Sequence, residues 1–111
     1  MSGIVGREPG IIGAILNTDI FASVIPDLHH VHPANIEIAS KLKEDKLFIV
    51  TDCHAPAGTE LKEFELHGLH MYVKNGLCCD KEGKLSGSNI LMNEGVKNCV
   101  NSCNIKLEKA F

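Results

Sequence analysis

The sequence predicts an α/β fold built on a parallel sheet, and three observations carry that expectation. Residues 20–25 (IFASVI) and 47–50 (LFIV) are short and continuously apolar, the pattern of strands buried on both faces. A helical pattern lies between them. The strand–loop–helix–strand unit takes roughly 30 residues, the size of a right-handed βαβ crossover.

Each element follows from its own residues. Residues 9–16 (PGIIGAIL) read as a short helix, with Pro9 in the first turn where its missing N–H costs nothing. The first strand stops at Pro26-Asp27, and a histidine-rich loop, Leu28-His29-His30-Val31-His32, leads to Pro33. Pro33 opens a helix over 34–43, with Ile36, Ile38, Ala39 and Leu42 as its apolar stripe. Glu44-Asp45 ends it, and the second strand runs to Thr51-Asp52. Then the character changes. Residues 64–66, 69–73 and 77–79 are strand-like runs separated by His67-Gly68 and Asn75-Gly76, and Asn-Gly is a strong hairpin signal. A turn at 80–83 precedes Leu85-Ser86-Gly87-Ser88. A helix is expected over 90–103, with Met92, Val96, Cys99, Val100 and Cys103 on one face, and residues 106–111 begin another.

Composition excludes several classes. The apolar fraction is 44%, the charged fraction 23% and the formal net charge −3, so the chain is ordinary globular material with no basic field for nucleic acid or an anionic membrane. Arg7 is the only arginine among the 11 positive side chains. No apolar run approaches the ~20 residues of a membrane span, and no secretory signal opens the sequence, which predicts a cytoplasmic protein. Five cysteines without CxxC spacing predict free, reduced thiols rather than a disulfide framework or a zinc site. Cys99 and Cys103, one helical turn apart, are expected to pack.

Asp52 stands at the C-terminal end of a buried strand, where loops of parallel α/β folds converge and catalytic groups sit. A carboxylate there shuttles protons, binds metal, or simply caps the turn that follows. His30 follows the end of the first strand on the same face, as a substrate contact. His29, His30, His32 and His54 do not make a metal cluster by spacing, because Pro26 and Pro33 bracket a loop. His29, His32, His67 and His70 are expected at the surface or in packing. Arg7, ahead of a helix N-terminus, is either a phosphate seat or a surface partner of Glu8.

The motifs Gly6-Arg7-Glu8-Pro9-Gly10, Asp27-Leu28-His29-His30, Val50-Thr51-Asp52, Ala55-Pro56-Ala57-Gly58, Asn75-Gly76-Leu77, Leu85-Ser86-Gly87-Ser88 and Met92-Asn93-Glu94-Gly95-Val96 occur in the order and spacing of bacterial N-acetylglucosamine-6-phosphate deacetylases of the amidohydrolase superfamily, and the resemblance covers essentially all 111 residues. It implies a TIM-like (β/α)8 barrel, with residues 1–111 as the C-terminal part of the catalytic barrel: the last strands and helices, with an inserted β-hairpin region. It implies metal-dependent hydrolysis of the acetamide of N-acetylglucosamine 6-phosphate, with Asp52 as the proton-transferring carboxylate. Arg7 and His30 resemble the residues that hold the sugar phosphate, with a dimer interface as one route, in a homo-oligomer. Backbone at Asp27, Leu28, His29 and His30, and at Leu85, Ser86 and Gly87, resembles further substrate contacts.

The same resemblance implies a zinc-type divalent metal whose ligands, a glutamate and two histidines, precede Met1, as does an Asn-Ala pair lining the sugar pocket. No metal ligand is expected within the chain, and the small β-domain is expected to lie outside it. Two departures stand out: Leu28 replaces the glycine of Asp-Gly-x-His, and His54 stands where a small or uncharged residue is usual. The expectation is a segment inactive by itself. The alternatives are complementation by a separately encoded N-terminal half, or a non-catalytic module that binds sugar phosphate or oligomerises.

Overall fold

A computed structural model describes residues 2–111. Its order is α1 (Gly10–Leu16), β1 (Ala22–Val24), α2 (Pro33–Lys43), β2 (Leu47–Ile49), β3 (Glu63–Leu66), β4 (Leu69–Lys74), β5 (Leu77–Cys79), α3 (Met92–Ser102) and α4 (Leu107–Ala110). The fold is α/β. β1 and β2 pair in parallel, Val24 opposite Ile49, with α2 as their crossover; β3, β4 and β5 form an antiparallel meander.

Local chemistry explains most boundaries. Pro33 takes the first helical position of α2, and the exposed His32 caps it, Nδ1 accepting from the Ala34 N–H at 3.2 Å. His67-Gly68 and Asn75-Gly76 link the meander strands, and all four residues have positive φ, as type I′ hairpins require. The helix over the 92–102 region starts at Met92 rather than Ile90, where Glu94 reaches back to the Leu91 N–H at 2.8 Å.

The core lies where α2 and α3 meet over β1: Val24, Ile36, Cys99, Cys103 and Ile105 are buried together. Here the helix-stripe expectation is corrected. The buried line of α2 is Ile36, Ser40 and Lys43, spaced four and three residues apart, while Ile38 and Leu42 are exposed. Lys43 is buried because its ammonium donates to the carbonyls of Ile15 and Thr18, at 3.0 and 2.6 Å, closing the C-terminal end of α1. The expectation of strands buried on both faces is also corrected: Phe21 and Phe48 are 69% and 51% exposed. A two-stranded parallel sheet has too few neighbours to cover both faces.

Candidate functional site

Parallel pairing decides what the two strand ends share. Because Val24 and Ile49 are register partners, Asp27 and Asp52, each three residues further on, leave the same end of the sheet. The Val50 N–H donates to the Val24 carbonyl at 3.0 Å and extends the ladder toward both loops.

Asp27 is buried and organises its loop. Its Oδ1 accepts the His29 and His30 backbone N–H groups at 3.0 and 2.9 Å, and its Oδ2 lies 2.6 Å from His30 Nδ1. An ionised carboxylate only accepts, so Nδ1 carries the proton and Nε2 is left available. Burial pushes the Asp27 pKa up, but the bonds from the His30 backbone, His30 ring and His29 backbone outweigh it and hold the carboxyl pKa below its ordinary value. The loop turns at Leu28, whose φ of 67° is the left-handed conformation a glycine adopts freely. The Asn98 side chain on α3 donates to the Pro26 carbonyl at 2.9 Å and ties the loop to that helix, which approaches closely because Gly95 lacks a Cβ: one built there meets Pro26 Cγ at 3.0 Å.

Asp52 is exposed, with φ 48°, so the chain turns sharply at the end of β2. Its carbonyl accepts the Ser88 N–H at 2.8 Å, and the Ser88 carbonyl accepts the His54 N–H at 3.1 Å. The Ser88 hydroxyl donates to the Thr51 carbonyl. Ser88, fully buried, therefore continues the parallel ladder as a single bridge to Cys53. Further back, Ser86 N–H donates to the Cys78 carbonyl at 3.0 Å and Leu85 bridges Cys79, so residues 85–88 suspend the Asp52 turn from β5. Gly87 sits against the turn with φ 62°; a Cβ there would lie 2.4 Å from His54 Nε2 and 2.9 Å from the Asp52 carbonyl oxygen. The His54 ring fills that space, tilted on Phe64 at 5.6 Å between centroids, with its Nε2 buried and unpartnered.

The structure thus joins Asp27 to His30 and Asp52 to Gly87 and Ser88. It does not join Arg7 to either. Arg7 is exposed in a tight turn closed by Val5 and Glu8, and its guanidinium makes no hydrogen bond or ion pair among the described residues. The helix N–H groups expected beside it are taken: Ile11 and Ile12 donate to Ser2 Oγ and Ser2 O at 3.1 and 3.4 Å. Among the described residues no group of three or more His, Cys, Asp or Glu is placed to hold a metal ion. Two apolar cavities of about 640 and 650 Å³ flank the β1–β2 sheet, and neither is lined by Asp27, His30, Asp52 or Gly87. They mark the uncovered strand faces, not the polar end of the sheet. Ser88 and Asn98 escape sequence reasoning, since a serine in a turn and an asparagine on a helix carry no signal of their long-range partners.

No protein-family model matches the chain. Relatives do. It is 41% identical over 108 residues to the N-acetylglucosamine-6-phosphate deacetylase of Haemophilus influenzae, covering 96% of this chain and 28% of that protein. It is 30% identical to an N-acetylgalactosamine-6-phosphate deacetylase of Escherichia coli O157:H7, covering 90% of this chain and 27% of that one. The crystal structure of N-acetylglucosamine-6-phosphate deacetylase from Pasteurella multocida superposes with a TM-score of 0.93 at 43% identity, covering 99% of this chain and 29% of the other. The Thermotoga maritima deacetylase gives 0.86 at 27% identity, with coverages of 98% and 31%. Over nearly its whole length the chain is thus similar to N-acetylglucosamine-6-phosphate deacetylases in both sequence and structure, and it spans about 28% of the length of the relatives it matches.

Proposed function

We propose that this chain supplies part of the sugar-binding and proton-transfer apparatus for hydrolysing the acetamide of N-acetylglucosamine 6-phosphate to glucosamine 6-phosphate and acetate. It does so as the C-terminal part of a TIM-like catalytic barrel. The observation that supports this reading most directly is the pairing of Asp27 and Asp52, each three residues past a register pair of parallel strands and hence at one end of one sheet.

Asp52, exposed at the end of β2, takes a proton from the attacking water and returns one to the leaving amine. The turn held by Ser88 sets its position. His30, with Nδ1 fixed by Asp27, presents Nε2 to a sugar or phosphate oxygen, and the backbone at Leu28, His29, Leu85, Ser86 and Gly87 borders the same end of the sheet. Arg7 meets the phosphate, from this subunit or from a neighbouring copy. Among the described residues none forms a ligand set for the divalent metal that the resemblance implies. Relatives named for N-acetylglucosamine 6-phosphate support the choice of sugar phosphate; relatives named for the galacto epimer keep the C4 configuration as the point to test.

By itself the chain releases no acetate. Exchanged for the matching segment of the Haemophilus influenzae enzyme, it supports turnover of N-acetylglucosamine 6-phosphate, and Asp52→Asn in that chimera lowers kcat by about 10²–10⁴-fold, the usual contribution of a general acid–base group. A chimera that folds but loses nothing on Asp52→Asn rejects the assignment. A second reading, complementation in trans, is favoured by the uncovered faces and outer edge of the β1–β2 sheet; co-purification with a chain bearing the remaining strands tests it.

A further inference from the structure

His54 stands two residues past Asp52, and its backbone is held on both sides. Its N–H donates to the Ser88 carbonyl at 3.1 Å, and its carbonyl accepts the Ala57 N–H at 3.0 Å. The half-buried ring meets two elements distant in sequence. One is Gly87, where a Cβ would stand 2.4 Å from Nε2, 2.7 Å from Cδ2 and 2.9 Å from the Asp52 carbonyl oxygen. The other is Phe64 of β3, tilted 44° against the imidazole with 5.6 Å between centroids. Nε2, the ring atom nearest that Gly87 position, is buried and has no hydrogen-bond partner. A buried nitrogen that bonds to nothing costs stability, so hydrogen bonding does not account for the ring's placement. Its shape does.

Asp52 needs such support. Its φ of 48° is a conformation that residues other than glycine hold only where their surroundings enforce it. Ser88 supplies hydrogen bonds to the Thr51 and Asp52 carbonyls, but they fix the turn only as firmly as residues 87 and 88 are themselves fixed. The His54 ring packs on Gly87, next to Ser88, and joins it to β3, which is paired along its length with β4. We propose that His54 is a positioning residue for acetamide hydrolysis: its ring, packed against Gly87 and Phe64, holds the Asp52 turn by shape and not through its nitrogens. The inference rests on Asp52 being the proton-transferring group, and the test separates the two.

That test combines turnover in the Haemophilus influenzae chimera with amide resonances of the full chain. His54→Ala is expected to lower kcat about tenfold or more and to leave KM for N-acetylglucosamine 6-phosphate within about twofold, because a displaced carboxylate slows the chemistry without loosening the sugar. The Asp52 and Ser88 amide resonances move with it. His54→Leu, branched at Cγ like the imidazole but free of nitrogen, restores most of kcat and both resonances. Gly87→Ala does less harm in the His54→Ala background than in the parent, since its methyl group then meets space instead of the ring. Should His54→Ala fail to fold, Phe64→Leu takes its place, with the same direction of change in kcat and resonances expected. Parental kcat with unmoved resonances, a rise in KM alone, a leucine variant as slow as the alanine one, or additive effects of the Gly87 and His54 substitutions would each overturn the proposal. Asp52→Asn is the control: if it is silent, the assignment of Asp52 fails, whereas a slow Asp52→Asn beside a fast His54→Ala removes His54 alone.

Discussion

Asp27 does more for its loop than any other side chain at this end of the sheet. Three donors converge on one buried carboxylate, and each favours the ionised form. The sign of the pH effect follows. With the folded-state pKa below the unfolded one, Asp27 stabilises the fold above the ordinary carboxylate pKa of 3.8, and this is lost as pH falls through the lower folded-state pKa. Asp27→Asn is therefore expected to lower stability at neutral pH and to flatten the acid limb of a stability–pH profile measured by urea denaturation. Gly87 has a different burden: its left-handed φ and its contact with His54 and Asp52 leave no room for a methyl group. Gly87→Ala should cost about 1–3 kcal/mol in the same assay, and it should move the Asp52 amide resonance because the turn must shift. An alanine chain as stable as the parent would show that the close approach does not constrain the turn.

At the scale of elements, Lys43 connects two helices that share little else. Its aliphatic stem is buried with α2 while its ammonium satisfies carbonyls at the end of α1. Lys43→Met keeps the stem and removes the donors, leaving those carbonyls short of a charged partner at a cost of about 1–3 kcal/mol. Hydrogen exchange should localise the loss to α1, with β3, β4 and β5 unchanged; uniform destabilisation would argue against a capping role. The meander, by contrast, was legible residue by residue, because Asn75-Gly76 and His67-Gly68 specify their turns locally. The burial of Lys43 was not legible, because a lysine near a helix end ordinarily lies in solvent, and its partners sit 25 and 28 residues away.

Across the whole molecule the two sheets are unequal. β3, β4 and β5 close on one another and on residues 85–88, but Phe48 of β2 and Phe21, just ahead of β1, are exposed, and apolar cavities lie against that sheet. Exposed apolar faces beside an unpaired parallel strand favour self-association. Phe48→Lys is expected to change folding stability by no more than about 0.5 kcal/mol, since the ring is half exposed, and to reduce concentration-dependent association in sedimentation. Equal association by parent and variant would locate the sticky surface elsewhere.

The sequence by itself determined the α/β class, the parallel pair with its crossover helix, both hairpins, and the placement of Asp52 and the Asp27–His30 loop at strand ends. Those features arise from short-range causes: apolar runs, a proline at a helix start, and residues that accept positive φ. Only the tertiary structure decided that Ser88 holds the Asp52 turn, that Asn98 anchors Pro26, that Ser2 occupies the helix amides expected beside Arg7, and that one face of α2 buries a lysine while Ile38 and Leu42 stay exposed. Each of those depends on which distant backbone groups need a partner after the elements pack, and no local pattern encodes that demand.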